Sequence, residues 1–209
     1  MNRDKRGILY GMALGDANIS LYPNVNSAVM SVKHCAAQSA YAEHKADLIT
    51  RVLGGARPPV RPLNNNGFPG VIFRKTASYL RIIRKRLYKD GRKVCSGCIR
   101  YLTPHGLAIW YMDDGGLGKK RRNGKIHAVD LYINCHSSIE EAHKICAEIK
   151  EKFGITFLPN LNNGSYRIRC GTLEARRFVE IVSPFMTKDM RYKIDIPPTQ
   201  ARAPSSPDL

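Results

Sequence analysis

Apolar residues gather in two segments that differ from the rest of the chain. The first, "GILYGMALGDAN" from Gly7, sets glycine at every fourth position, Gly7, Gly11 and Gly15, and ends on Asp16. A glycine inside a helix costs about 1 kcal/mol relative to alanine. Three on one face therefore need a compensating contact, and the close approach of another backbone is one that a side chain would block. The second segment, "TPHGLAIWYMDDGG" from Thr103, opens on a cap and proline, runs apolar and ends on Asp113 and Asp114.

Around these segments the polarity pattern predicts helices and strands in a fixed order. "NSAVMSVKH" (residues 26–34) and "GVIFRK" read as strands. "SAYAEHKADLITRVLGG" reads as an amphipathic helix, with Tyr41, Leu48, Ile49 and Leu53 at helical spacing and Gly54 and Gly55 as its stop. "ARPPVRPLNNNGFPG" reads as loop or edge strand, and "TASYLRIIRKRLY" as a basic helix capped by Thr76 or Ser78. The order then recurs: "KIHAVDLYINCH" alternates as a strand, and "SSIEEAHKICAEIKEKFGI" carries a serine cap and Glu140 and Glu141 in its first turn. "GSYRIRC" is a strand and "LEARRFVEIVSPF" a helix stopped by Pro184.

The offset between copies is close to one hundred residues, so an internal duplication is expected. The predicted fold class is α+β: two αββαββα repeats related by a pseudo-twofold axis, with antiparallel sheets and helices on one face. The expected units are 1–97 and 98–197, followed by a Pro- and Ser-rich tail at 198–209.

Charge changes the picture. The 34 Lys and Arg against 17 Asp and Glu leave a formal charge of +17, which points to a polyanion as partner. The excess is uneven, +13 over residues 1–100 and +4 over the remainder. No run of about 18 apolar residues offers a membrane span. The basic start "MNRDKR" lacks the features of a cleaved signal, so an intracellular setting is expected, either prokaryotic or phage cytoplasm or an organelle such as a mitochondrion or plastid. Six scattered cysteines fit a reducing compartment. Cys95 and Cys98 form a CxxC that no second CxxC or HxxxH answers, and reduced structural thiols are the leading reading, ahead of a zinc site.

"LYGMALGDA" (Leu9 to Ala17) and "LAIWYMDDG" (Leu107 to Gly115) resemble the two copies of the motif that names the LAGLIDADG homing endonucleases. The setting "LTP…WYMDDGG", "YAEHK" and "MRYKI" agree, and the resemblance spans roughly residues 6–197. It implies a single chain, a monomer, whose motif helices pack at the repeat interface and whose saddle-shaped sheets lie in the DNA major groove. The implied activity is a site-specific double-strand cut with Mg²⁺ or Mn²⁺ that promotes mobility of an intron. The start of the chain carries no protein-splicing sequence, which argues against an embedded intein. An RNA-binding maturase on the same scaffold, acting on its own intron RNA, is the alternative. A metal-independent DNA-binding regulator is a third.

Residue by residue, the resemblance assigns the metal to Asp16 and Asp114, with Ala17 and Gly115 following them. Converging carboxylates repel unless cations intervene, and such a pair suits phosphodiester hydrolysis. Lys93, 77 residues after Asp16, and Lys193, 79 after Asp114, are assigned beside the attacked phosphate. His34, and less clearly Asn134 or His136, fall where a polar side chain orders the active-site water. Asp113, whose counterpart is Gly15, is expected to support the site. Lys33, Arg74, Lys75, Tyr132, Asn134, Arg167 and Arg169 are assigned to DNA from strands, and Arg57, Arg61, Lys119, Lys120, Arg121 and Arg122 from loops. Ala17 stands where glycine is usual, and Ile109, Trp110 and Tyr111 add bulk, so the second helix must approach through Gly106, Ala108 or Met112.

Overall fold

The computed structural model describes residues 1–23, 25–65 and 67–197; the expected tail at 198–209 lies outside the described residues. Two four-stranded antiparallel sheets share one topology. The first is ordered β1-β2-β4-β3, from β1 (Asn18–Leu21), β2 (Ala28–Cys35), β3 (Arg61–Asn65) and β4 (Phe68–Ala77). The second is β7-β8-β10-β9, from β7 (Gly115–Arg122), β8 (Lys125–Ser137), β9 (Leu158–Asn162) and β10 (Ser165–Gly171). Between them β5 (Tyr88–Lys89) and β6 (Arg92–Lys93) form a short ribbon.

The helices α1 (Arg3–Leu14), α2 (Ser39–Leu53) and α3 (Tyr79–Leu87) accompany the first sheet, and α4 (Pro104–Asp114), α5 (Ile139–Phe153) and α6 (Thr172–Val182) the second. Each of these helices, and each strand of the two large sheets, thus has a counterpart in the other copy. α4 is apolar around its whole circumference, and Gly106 through Met112 are all buried, as such a helix requires. α1 buries Gly7 through Leu14 without a break. The two motif helices therefore form the centre of the core, with Tyr10, Trp110 and Tyr111 among its fully buried side chains.

The glycine stripe explains itself at the α1–α4 contact. A Cβ on Gly11 would lie 2.2 Å from the Gly106 carbonyl oxygen, and one on Gly106 would lie 2.2 Å from that of Gly7. A Cβ on Gly15 would lie 2.1 Å from the Asp113 carboxylate. α4 approaches through Gly106, one of the three positions expected. Its start is fixed by Thr103, whose hydroxyl accepts from the Gly106 N–H, and α5 is capped in the same way by Ser138.

The structure corrects three details. The chain stays in β4 through Ala77, so Thr76 is a strand residue rather than a cap, and Ser78, which does precede α3, makes no side-chain cap bond. "GGLGKKRR" is a strand, so Lys119, Lys120, Arg121 and Arg122 sit on β7 and not in a loop. The αββαββα order calls for a strand before β10, and the edge strand β9, to which no stretch was assigned, fills that place.

Candidate active site

Asp16 and Asp114 stand at the C-terminal ends of α1 and α4, brought together by the glycine contact. Asp16 keeps 39% of its side chain exposed. Burial, and then the negative charge of Asp113, push its carboxyl above the ordinary range. Asp114 is more enclosed; burial first, then Asp113 and Asp16, push it up to about 7, with Lys93 opposing. Two carboxylates held at helix C-termini, where the dipole also disfavours negative charge, form a site short of positive charge.

The two lysines assigned to catalysis occupy matching places. Lys93 Nζ donates to the Gly15 carbonyl at 2.6 Å. Lys193 Nζ donates to the carbonyls of Met112 at 2.6 Å and Asp113 at 3.3 Å. Each ammonium thus lies at the end of a motif helix, and Lys93 shares a cavity with Asp114, the carboxylate that acts on it most, while Asp113 and then Asp16 act most on Lys193. Burial lowers both lysine pKa values, and the surrounding carboxylates oppose it.

Each aspartate opens into its own cavity. One, of about 320 Å³, is lined by Asp16, Lys33, His34, Gln38 and Phe68 among others. The other, of about 560 Å³, is lined by Lys93, Asp114, Asn134, Cys135 and His136 among others. Asn134 Nδ2 donates to the Asp114 carbonyl at 3.2 Å, while His136 sits at φ 46 where β8 loses regular pairing with β10. Ala17 and Gly115, which follow the two carboxylates, are buried.

His34 reaches Asp16, with Nδ1 3.5 Å from Oδ2. Burial, with the adjacent Lys45 charge, holds its pKa down at about 4, so the ring is neutral at pH 7. The Nδ1-protonated tautomer fits its surroundings: Nδ1 donates to Gln38 Oε1 at 3.2 Å and Nε2 accepts from Lys45 Nζ at 3.3 Å. Among the described residues, one cluster of three metal-ligating side chains forms, from Asp16, His34 and Asp113, with ligand atoms within 4.8 Å of each other. Its membership differs from the expected pairing with Asp114. Asp113 is already committed, because Lys45 Nζ donates to both of its oxygens at 2.8 and 2.7 Å and the Tyr41 hydroxyl donates at 2.9 Å. No such cluster includes Cys95 or Cys98 among the described residues.

Lys45, with no exposed side-chain surface, is the residue that sequence reading missed. A signal existed, since it lies one turn after Tyr41 and one before Ile49, on the apolar stripe of α2.

The remaining basic residues divide by strand parity. Core-facing Val129, Leu131 and Ile133 put Asp130, Tyr132 and Asn134 on the opposite face of the second sheet, with Arg167, Arg169 and Asn160 alongside. There the Arg167 guanidinium stacks 4.2 Å from the Tyr132 ring centroid, and its Nε donates to Asn160 Oδ1 at 2.9 Å. Asp130 joins Lys120 at 3.0 Å and Arg169 at 3.6 Å. Arg61, Lys33 and Arg74 are exposed on the first sheet, Lys119 pairs with Asp195 at 2.6 Å, and Arg121 and Arg122 are exposed near the β7–β8 turn. Arg57 and Lys75 depart from their assignment. Arg57 is bound to Glu43 and Asp47 of α2, and Lys75 caps the end of that helix by donating to the carbonyls of Gly54 and Ala56 at 2.6 and 2.7 Å. Both serve the helical side of the sheet.

The fold has known relatives. It superposes on the homing endonuclease I-WcaI, solved bound to its DNA recognition sequence, with a TM-score of 0.74 at 20% identity, covering 92% of this chain and 86% of that one. For I-DmoI, in complex with DNA and Mn, the TM-score is 0.52 at 14% identity, over 87% of this chain and 97% of that one. Among curated sequences, Protein RecA of Mycolicibacterium chitae is 27% identical over 199 residues, 90% of this chain and 45% of that protein. A Probable intron-encoded endonuclease 1 of Wickerhamomyces canadensis is 25% identical over 96 residues, 46% of this chain and 41% of that protein. The chain spans less than half the length of these curated relatives. The sequence model of the LAGLIDADG DNA endonuclease family matches residues 6–178, and with two aspartate-tipped helices joined through glycine at its centre, this chain belongs to that family.

Proposed function

We propose that the protein is a site-specific endonuclease that hydrolyses one phosphodiester in each strand of a DNA target, using Mg²⁺ or Mn²⁺, and that the cut promotes mobility of an intron. The observation that carries this reading is the duplication of a motif helix with a terminal carboxylate and a lysine donating to the carbonyls at its end. Each aspartate serves one strand, and a single chain presents both.

The donor set fits a divalent cation. Asp16 and Asp114 offer hard oxygen ligands, Ala17 and Gly115 lie next to them, and burial, followed by the negative charge of neighbouring carboxylates, raises both carboxyl pKa values. When bound there, the ion supplies Lewis-acid stabilisation of charge at the reacting phosphate and lowers the pKa of water. The chain does the rest. Lys93 and Lys193 place fixed positive charge beside the phosphates, and neutral His34 orders solvent at Asp16. Arg167 and Arg169 read base edges, while Arg61, Arg74 and Lys119 to Arg122 hold phosphates. I-WcaI bound to its DNA recognition sequence and I-DmoI in complex with DNA and Mn support the same partner and metal.

The test is cleavage of a randomised duplex library with Mg²⁺, Mn²⁺ or chelator. The reading expects metal-dependent enrichment of one cut sequence and none with the Asp16→Asn/Asp114→Asn double variant. Tight binding of intron RNA with no DNA cleavage in either metal would replace it with the maturase.

A further inference from the structure

The two halves of the candidate site are built differently. α2 and α5 have the same length, and a shift of 100 residues carries Ser39 to Ile139 and the stop Gly54 to Gly154. That shift places Ile145 opposite Lys45 and Glu141 opposite Tyr41. The motif offset of 98 places Asp113 opposite Gly15. Lys45, Tyr41 and Asp113 therefore have no chemical counterparts in the other copy, where Glu141 instead accepts from the backbone N–H groups of Cys95 and Ser96.

All three unmatched side chains converge on Asp16. Asp113 Oδ2 accepts the Asp16 backbone N–H at 3.0 Å, and Lys45 holds both Asp113 oxygens. Lys45 also donates to His34, whose other nitrogen faces the Asp16 carboxylate. Lys45 thus reaches Asp16 by two routes, one to its backbone and one to its side chain. The Asp113 carboxylate fits only because Gly15 has no Cβ. A buried ion pair is a poor device for stability, since apolar residues of similar volume commonly do as well or better. The symmetry-related positions in fact hold an isoleucine, Ile145, and a glycine, Gly15.

We propose that Lys45 is a positioning residue for the half-reaction at Asp16, acting through Asp113 and His34, so that the two DNA strands depend on it unequally. This rests on the endonuclease reading above.

The experiment is strand-resolved, single-turnover cleavage of a duplex labelled at both ends, in Mg²⁺. Wild type sets both strand rates, and Asp16→Asn identifies the strand that Asp16 serves. Lys45→Met is expected to slow that strand by about 10-fold or more, the scale of a misplacement under 1 Å. The other strand should change by less than about 3-fold, and the DNA Kd should hold. Lys45→Met leaves Asp113 unpaired, so Lys45→Met/Asp113→Asn is the second variant, and the same strand bias is expected of it. Equal slowing of both strands in the folded double variant, or wild-type rates on both, overturns the proposal. A wild-type protein that cuts neither strand overturns the endonuclease reading itself.

Discussion

Gly11→Ala isolates the reason for the glycine stripe, because two physical effects push it in opposite directions. Helix propensity alone would make alanine better by about 1 kcal/mol. The new methyl, however, would lie 2.2 Å from the Gly106 carbonyl oxygen and 2.8 Å from its carbonyl carbon and Cα, where ordinary contact begins at 3.4 Å. The obstacle is backbone, so no rotamer relieves it and the helices must separate by roughly 1 Å. Overpacking of this kind costs about 1–3 kcal/mol, and the rigid obstacle places it at the upper end. Less the propensity gain, a net loss of about 2 kcal/mol remains, which for a chain of this size lowers Tm by about 4–8 °C. The same separation moves Asp16 relative to Asp114 and should slow cleavage about 10²-fold. Thermal melting and single-turnover cleavage measure the two effects. Gly118→Ala is the stability control, since its Cβ would meet nothing closer than 3.6 Å. A Gly11→Ala protein that melts at or above wild type and cleaves at full rate would refute the close-packing argument.

In metal-free protein, Asp114 binds its proton more tightly when folded, with a pKa of about 7 against an ordinary 3.8. Its contribution to stability is present below the lower value and lost as pH rises through the upper one, at most about 4 kcal/mol. His34 runs oppositely, because its folded pKa of about 4 lies below the ordinary 6.5 and its contribution is lost as pH falls through that window. These two contributions therefore nearly cancel between about pH 4 and 6.5. The stability of Asp114→Asn, measured by urea titration, should rise relative to wild type across the same range; parallel profiles would contradict the assignment. Arg167→Ala should weaken DNA binding by about 1–3 kcal/mol and relax preference at one base pair, while Arg57→Ala should leave DNA affinity unchanged and lower Tm slightly. Fluorescence anisotropy on the cut site distinguishes them.

Much of this was legible in the chain because the duplication writes the site twice. The stripe at Gly7, Gly11 and Gly15 foretold close approach, and the matched Asp16 and Asp114 foretold what it brings together. Lys93 and Lys193 are assigned by the resemblance together with their matched spacing, and they donate to the carbonyls of Gly15 and Asp113, which are equivalent positions. The network on Lys45 was not, because its partner Asp113 is 68 residues away and a lysine on a helix reads as a solvated charge. Arg57 and Lys75 were assigned to DNA on charge, and charge does not specify a face. Parity would have corrected Lys75, since Phe73 faces the core and Lys75 shares its side of β4. The repeat order called for strands at β7 and β9 but their residues were not located, because an edge strand such as "GGLGKKRR" or "LPNLN" buries too little for alternation to appear.

The central claim is that two carboxylates at adjoining helix ends each serve one DNA strand. Strand-resolved cleavage by the single variants Asp16→Asn and Asp114→Asn, in Mg²⁺ and with DNA saturating, tests it most directly. The account predicts that each variant binds as wild type does and leaves a different strand intact, so that the two nicked products are complementary. Double-strand cutting that persists in both variants, or loss of the same strand in both, would contradict it.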